Sequence, residues 1–212
     1  MTKEIVVTNT RPEHAQGVYD TVRLAYGVPL SEECPTCVNA DDVRRALQWF
    51  PEGQFVALDG DLVVGMAATM RTHYRPDQPP KRWMEAIGGT DVRNHEPEGD
   101  WLYGAEMAVR PDYRKRGIGT KLYEARFNLV RRLGLRGWYA GGVLMGYYRY
   151  ADQMDSTEYA RKVIDGELRD PTVSMQLHRG FQAWGIIENY LYEPEAGNTA
   201  VLIVWPNPDF QE

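Results

Sequence analysis

The sequence predicts a single α/β domain in which strands and helices interleave around one sheet, over residues 1–212. Three stretches carry that expectation. Trp101 to Val109 is apolar enough for a buried strand and runs through a basic turn directly into a helical pattern of Ile118, Leu122, Ala125, Leu129 and Leu133. Gln54–Leu58 and Leu62–Thr72 read as a hairpin around Asp59-Gly60, where glycine supplies the positive φ that a tight turn needs. Phe181–Tyr192 and Thr199–Trp205 read as two long strands that close the sheet.

The remaining elements follow in order. Glu4 to Thr8 is a first strand. Thr10-Arg11-Pro12-Glu13 has the form of a capping box with proline in the first turn, opening a helix through Ala15, Val18, Val22 and Ala25. Asn39 caps a second helix with Val43, Ala46, Leu47 and Phe50 on one face, ended by Pro51. A long irregular stretch, His73 to Asp100, interrupts the pattern, and a connector of that length inside a compact domain is usually functional or mobile. In the strand Trp101–Val109, alternation puts Ala105, Met107 and Val109 on one face. Lys121, Glu124 and Asn128 point away from the apolar side of the next helix. Trp138 to Leu144 is a further strand, and Met145 to Asp152 a tyrosine-rich loop. Asp155 and Ser156 with Glu158 start a short helix to about Gly166, and Asp170-Pro171 caps another, Thr172 to Arg179, ended by Gly180.

Bulk properties narrow the function. With 43% hydrophobic and 25% charged residues the chain is an ordinary globular protein able to bury a core. A net charge of −6 argues against non-specific nucleic-acid binding, which needs a broad basic surface. The opening Ile5-Val6-Val7 is too short for a signal peptide, and nothing later approaches a membrane span, so the expected compartment is the cytoplasm. Cys34 and Cys37 form a C-x-x-C pair, but His14, His73, His95 and His178 lie outside zinc-ligand spacing and the pair sits in a proline-rich connector. They are read as two reduced loop cysteines, and no metal is expected.

Chemistry concentrates between the signature strand and helix. Gly117 and Gly119 remove two side chains where the chain bends, so the N–H groups of Lys115 to Thr120 can lie against an anion. The helix start adds unpaired donors and the positive end of its dipole. Arg114, Lys115 and Arg116 add fixed charge, and together with Ile118 these residues form a diphosphate site. A Walker-type loop and a dinucleotide fingerprint are both excluded by glycine spacing.

Arg114-Lys115-Arg116-Gly117-Ile118-Gly119, with its lead-in Val109-Arg110-Pro111-Asp112-Tyr113, resembles the Gln/Arg-x-x-Gly-x-Gly/Ala signature of the GNAT superfamily of acyl-coenzyme A N-acyltransferases. The resemblance extends over nearly the whole chain. Phe50-Pro51-Glu52-Gly53-Gln54, Gly141-Gly142, Gly146-Tyr147-Tyr148-Arg149-Tyr150 and Asn189-Tyr190-Leu191 look like the acetyltransferase domain joined to nitrilase-type hydrolases, although Val143 and Met145 replace that group's arginine and proline. The resemblance implies an α+β fold: a mixed, mostly antiparallel sheet with helices on both faces and a splayed parallel pair, Trp101–Val109 and Trp138–Leu144. It also implies acetyl-coenzyme A as cofactor. The backbone of Met107, Ala108 and Val109 would then pair with the pantetheine arm as an added strand.

For the reaction, Glu106 is the carboxylate nearest that strand, either the base or an ion-pair partner. The family's usual tyrosine acid falls on Gln176, which cannot donate a proton in that way. Tyr147 or Tyr150 is the expected replacement, with an aromatic wall for the substrate as the alternative role. The insertions His73–Asp100 and Met145–Pro171, with Trp83 and Met84, are expected to cover a pocket for a small-molecule amine. A non-catalytic acyl-coenzyme A-binding module, and a protein N-acetyltransferase, remain alternatives. A homodimer is compatible with the sequence.

Overall fold

The computed structural model describes residues 4–211. Seven strands form one sheet: β1 (Val6–Asn9), β2 (Gln54–Asp59), β3 (Leu62–Thr72), β4 (Trp101–Val109), β5 (Gly137–Val143), β6 (Gln182–Ile187) and β7 (Ala200–Pro206). Their order is β1-β2-β3-β4-β5-β7-β6, and every neighbouring pair is antiparallel except β4–β5. The helices are α1 (Ala15–Ala25), α2 (Ala40–Trp49), α3 (Trp83–Ile87), α4 (Ile118–Arg132), α5 (Ser156–Ile164) and α6 (Val173–His178). Mixed sheet and parallel pair are as expected. No helix is long and apolar enough to cross a membrane among the described residues.

Helices cover both faces. On one, Ile118, Leu122 and Leu129 of α4 pack against Phe55, Ala57, Leu102 and Trp138, with Ala160 and Val163 of α5 and Val173 of α6. Full burial of each of these α4 side chains is worth about 1.5–3 kcal/mol. On the other face, Ala15, Val18 and Val22 of α1 pack on Val56, Val63 and Met66. Beside them, α3 and its flanks cover Tyr103, Tyr139 and Leu202 with Ile87 and Val92.

Local signals explain many boundaries. Asn39 accepts the backbone N–H groups of Asp41 and Asp42, and Asp42 returns the bond to the N–H of Asn39. Asp155 caps α5 through the N–H of Glu158. Asp170 Oδ1 accepts from Thr172 and Val173 at the entry to α6.

Several expectations need correction. The first helix is entered by a short 3-10 turn, Pro12–His14, in which His14 Nδ1 accepts the N–H of Arg11; Thr10 is buried and its N–H bonds Gln54 O. The strand read as Phe181–Tyr192 stops at Ile187, because Asn189 takes a left-handed φ of 52° and Tyr190 N bonds Asn198 O across a loop. Cys34 and Cys37 are joined in a disulfide, not reduced: a turn from Cys37 N to Cys34 O brings their Cα atoms to 5.3 Å, within bridging range. The irregular stretch carries α3 and a buried carboxylate, Asp91, held by Arg45 and Arg93.

Candidate functional site

The parallel pair is the centre of the site. β4 and β5 pair only at Trp101–Gly137, Leu102–Trp138 and Tyr103–Tyr139. Beyond that point they separate, leaving an open edge on β4 from Gly104 to Val109 and on β5 from Ala140 to Val143. The register between β3 and β4 shows what opens the gap. Ala68 pairs with Glu106 but Thr69 pairs with Gly104, so Ala105 is an extra residue on β4, a bulge that bends its strand.

The bulge also flips the faces. Ala105 packs with Trp101 and Tyr103 on the α3 side, whereas Met107 and Val109 pack with Leu102 on the α4 side. The expected shared face of Ala105, Met107 and Val109 is therefore wrong, because one extra residue shifts a period of two by half. Arg110 N donates to Val64 O, so alternation turns Ala108 toward β3 and the N–H groups of Met107 and Val109 toward the open edge. Two of the three residues expected to meet a pantetheine arm thus present their backbone to the gap; Ala108 does not.

At the outer end of the gap lies the basic turn. Gly117 takes φ 78° as the residue that caps α4, and Lys115 takes φ 63°. A β-carbon added at Gly117 or Gly119 would meet nothing within 4 Å, so the surface above them is open. Backbone N–H groups from Lys115 to Thr120 make no hydrogen bond to another described residue. A run of unpaired backbone N–H groups at the positive end of a 15-residue helix fits a diphosphate. Arg114 and Arg116 are partly used within the protein. Arg114 Nη2 donates to Ala25 O, and Arg116 lies over the Tyr113 ring while donating to Asp112 O. Thr120 Oγ1 accepts from Arg179 Nη2 at 2.7 Å, a basic residue on the rim that the sequence reading did not single out.

Glu106 faces away from α4, half-buried. Its Oε1 accepts from Tyr26 O–H at 3.0 Å and from Met107 N–H at 3.1 Å, and no described residue bonds Oε2. Burial pushes its carboxyl up from the usual range, partly offset by those two donors. The Glu106 charge in turn raises the Tyr26 phenol. Glu106 makes no ion pair with a described residue, which leaves the base role open to it. Beside it, Tyr103 and Tyr190 share a hydroxyl–hydroxyl bond of 2.7 Å, and burial pushes Tyr190 up to about 12.

These tyrosines line a tight cleft of about 10 Å³, room for about one water, with Tyr74, Tyr139, Gly141 and Lys81. The first insertion contributes Tyr74, Pro80, Lys81 and Ala86 to it, and next to them Trp83 Nε1 donates to Ala105 O at 2.7 Å, directly on the bulge, and Trp83 N to Tyr190 O. Met84 is turned to solvent and is not part of this lining.

Tyr147 and Tyr150 are not brought to Glu106. They pack at a tilt against Tyr159 of α5, with ring centroids 5.7 and 5.2 Å away, and Tyr147 O–H donates to Met154 O. The tyrosine loop folds back on α5 because Gly146 N–H is captured by Asp170 Oδ2. The Tyr147 proton is thus engaged by Met154 O, while the Tyr150 hydroxyl bonds no described residue and leaves the acid role expected of this loop open to it. Gln176, at the position expected to hold an acid, donates through Nε2 to Tyr123 O–H at 3.0 Å.

Comparison with known proteins matches this architecture. The acetyltransferase (GNAT) family model matches residues 26–151, more than half of the chain. A Bacillus subtilis (strain 168) protein named "Uncharacterized N-acetyltransferase YkwB" is 31% identical over 187 residues, covering 85% of this chain and 83% of its own length. "Probable hydrolase YhcX" of the same organism is 36% identical over 165 residues, covering 77% of this chain, and the aligned part is 32% of that protein. Among solved structures, the GphF GNAT-like decarboxylase in complex with isobutyryl-CoA superposes with a TM-score of 0.77 at 20% identity, covering 95% of this chain and 99% of that one. The loading GNATL domain of CurA from Lyngbya majuscula gives 0.78 at 16% identity, covering 97% and 98%. The decarboxylase and loading domains share this fold at low identity, while the family match and YkwB extend through the basic turn. This chain belongs to the GNAT family of acetyltransferases, and as an acyltransferase it takes acetyl-coenzyme A as its acyl donor.

Proposed function

We propose that the chain, as one domain over residues 1–212, transfers the acetyl group of acetyl-coenzyme A to the amino group of a small molecule. The observation that carries this reading is the two-sided gap between β4 and β5. An anion-binding turn lies at its outer end at Gly117 and Gly119, and on the other side Glu106 lies beside Tyr190, with Trp83 bonded to the bulge. The coenzyme supplies an activated thioester. Lys115 to Thr120 would hold its diphosphate, and the N–H of Val109 with the C=O of Met107 its arm.

The residues of the chain then divide the remaining work. An amine attacks only as the free base, so a proton acceptor is needed on the acceptor side. Glu106 supplies it through Oε2, and its raised pKa brings its basicity closer to that of the group it must deprotonate. Tyr26 and the Met107 N–H fix the carboxylate orientation through Oε1. The tyrosines Tyr74, Tyr103, Tyr139 and Tyr190, with Trp83 bonded to Ala105 O and Tyr190 O, enclose the acceptor side, which suits a compact amine better than an extended peptide that needs an open groove.

A thiol-release assay across a panel of small amines, with a lysine-containing peptide as comparison, tests the reading. Release with at least one small amine, abolished in Glu106→Gln, is the expected result. Release with the peptide alone would replace the small-molecule acceptor with a protein one.

A further inference from the structure

Arg126 is the one arginine of α4 whose guanidinium is driven into the protein. It is 3% exposed and lies over two rings at once, 4.5 Å from the Tyr123 centroid and 4.2 Å from that of Trp138. Its hydrogen bonds are modest: Nε donates to Leu122 O, and Nη2 to Met107 Sδ at 2.9 Å. No carboxylate among the described residues pairs with it. Burial pushes it down to about 10, so it keeps its charge at neutral pH. An unpaired buried cation is costly, and proteins normally compensate it with an anion.

The surroundings place this charge at the floor of the gap. Met107 is on the open edge of β4 and Trp138 is the last-but-one β5 residue paired with β4. Trp138 Nε1 is buried without a partner and lies against Gly104, where a β-carbon would come within 2.7 Å of it. Gln176 Oε1 is also buried and unpartnered, facing Gly142 of β5. Three polar groups lacking full partners therefore surround Tyr123, on the side of the sheet opposite Glu106.

Charge moves across the sheet in the proposed reaction. As the amine nitrogen bonds the acyl carbon and the carbon–sulfur bond breaks, the bonding electron pair goes to sulfur. The amine proton goes to Glu106. Negative charge thus leaves the acceptor face and appears on the coenzyme sulfur, and Gln176 has no acidic proton to give it.

We infer that Arg126 is the counter-charge of the departing thiolate, stabilising coenzyme A as the anion instead of protonating it. The inference rests on the coenzyme reading of the gap. The groups facing Arg126 are few: Tyr123 on α4, Met107 on β4, Trp138 on β5 and, across the Tyr123 ring, Arg179 just after α6, whose own side-chain bonds go to Thr120 and Met175. None is a carboxylate that would cancel the field.

The test is the thiolate ultraviolet absorbance of bound coenzyme A, titrated with pH on the full chain. The bound thiol should ionise at least about one pH unit below free coenzyme A, since a cation beside a thiol favours the thiolate. Arg126→Met should abolish that displacement, and Arg126→Lys should retain part of it. Methionine is chosen because an apolar side chain of similar volume often replaces a buried charge without loss of folding. Calorimetry with desulfo-coenzyme A, which lacks the sulfur, separates the two readings. If coenzyme A and its desulfo analogue both bind but the thiol titrates normally, or titrates alike in wild type and Arg126→Met, the counter-charge role is overturned. If neither compound binds, the coenzyme reading itself fails. If succinyl-coenzyme A binds about tenfold more tightly than acetyl-coenzyme A, and only with Arg126 present, the guanidinium pairs with an acyl carboxylate and the inference is overturned.

Discussion

Gly119→Val offers a clean separation of binding from folding. Gly119 is the second residue of α4, its φ lies outside the left-handed region, and a β-carbon there meets nothing within 4 Å. Glycine costs a helix about 1 kcal/mol and valine somewhat less, so the substitution should leave stability unchanged or slightly raised. The new isopropyl group stands over the unpaired N–H groups of the turn. Excluding a phosphate from two such donors, each charge-assisted bond being worth about 1.5–3 kcal/mol, removes at least about 3 kcal/mol. That is a loss of about a hundredfold or more in coenzyme A affinity. Gly117→Val is a poorer probe, because its φ of 78° strains any β-branched residue and mixes the two effects. Calorimetry should show weakened coenzyme A binding and unchanged binding of pantetheine, which has no diphosphate. Equal coenzyme A affinity in wild type and Gly119→Val would refute the assignment of the turn.

Glu106→Gln keeps the acceptor oxygen for Tyr26 and Met107 but not the base, so turnover should fall by about 10²–10⁴. Because burial raises the Glu106 pKa, the native state retains a proton that the unfolded chain has released, and native stability falls as pH rises through that window. The variant should therefore melt above wild type at pH 8, with the gap shrinking in acid; the reverse order would mean Glu106 is not strained by burial. Tyr147→Phe removes a bond to Met154 O and should cost about 1 kcal/mol of stability with little change in turnover, while Tyr150→Phe should change neither. A tenfold loss of turnover in either would assign the acid role to that loop. Trp83→Phe strips the donor from the bulge carbonyl of Ala105, and should raise KM for the amine without altering coenzyme A affinity; an unchanged KM would remove the first insertion from the acceptor site.

What the sequence determined by itself was local. The Arg114–Thr120 turn, the Asp59-Gly60 hairpin, the Asn39 cap and the strand Trp101–Val109 depend on neighbouring residues, and their periodicity and turn chemistry act within a few positions. The tertiary structure decided what depends on partners distant in the chain. The bulge at Ala105 exists only relative to β3, so no pattern within β4 reveals it, although it sets the faces of Glu106 and Met107. Arg126 looks in sequence like any polar residue of an amphipathic helix; its burial follows from Trp138 and Met107, contributed by two strands that the helix crosses. Trp83 reaches Ala105 from 22 residues away, and Arg179 reaches Thr120 from 59. Tyr147 meets Tyr159 because Asp170, 24 residues from Gly146, holds the Gly146 N–H beside α5. Local chemistry selected the elements, and long-range packing, which pairs residues by the free energy of the whole fold, selected which side chains face the gap.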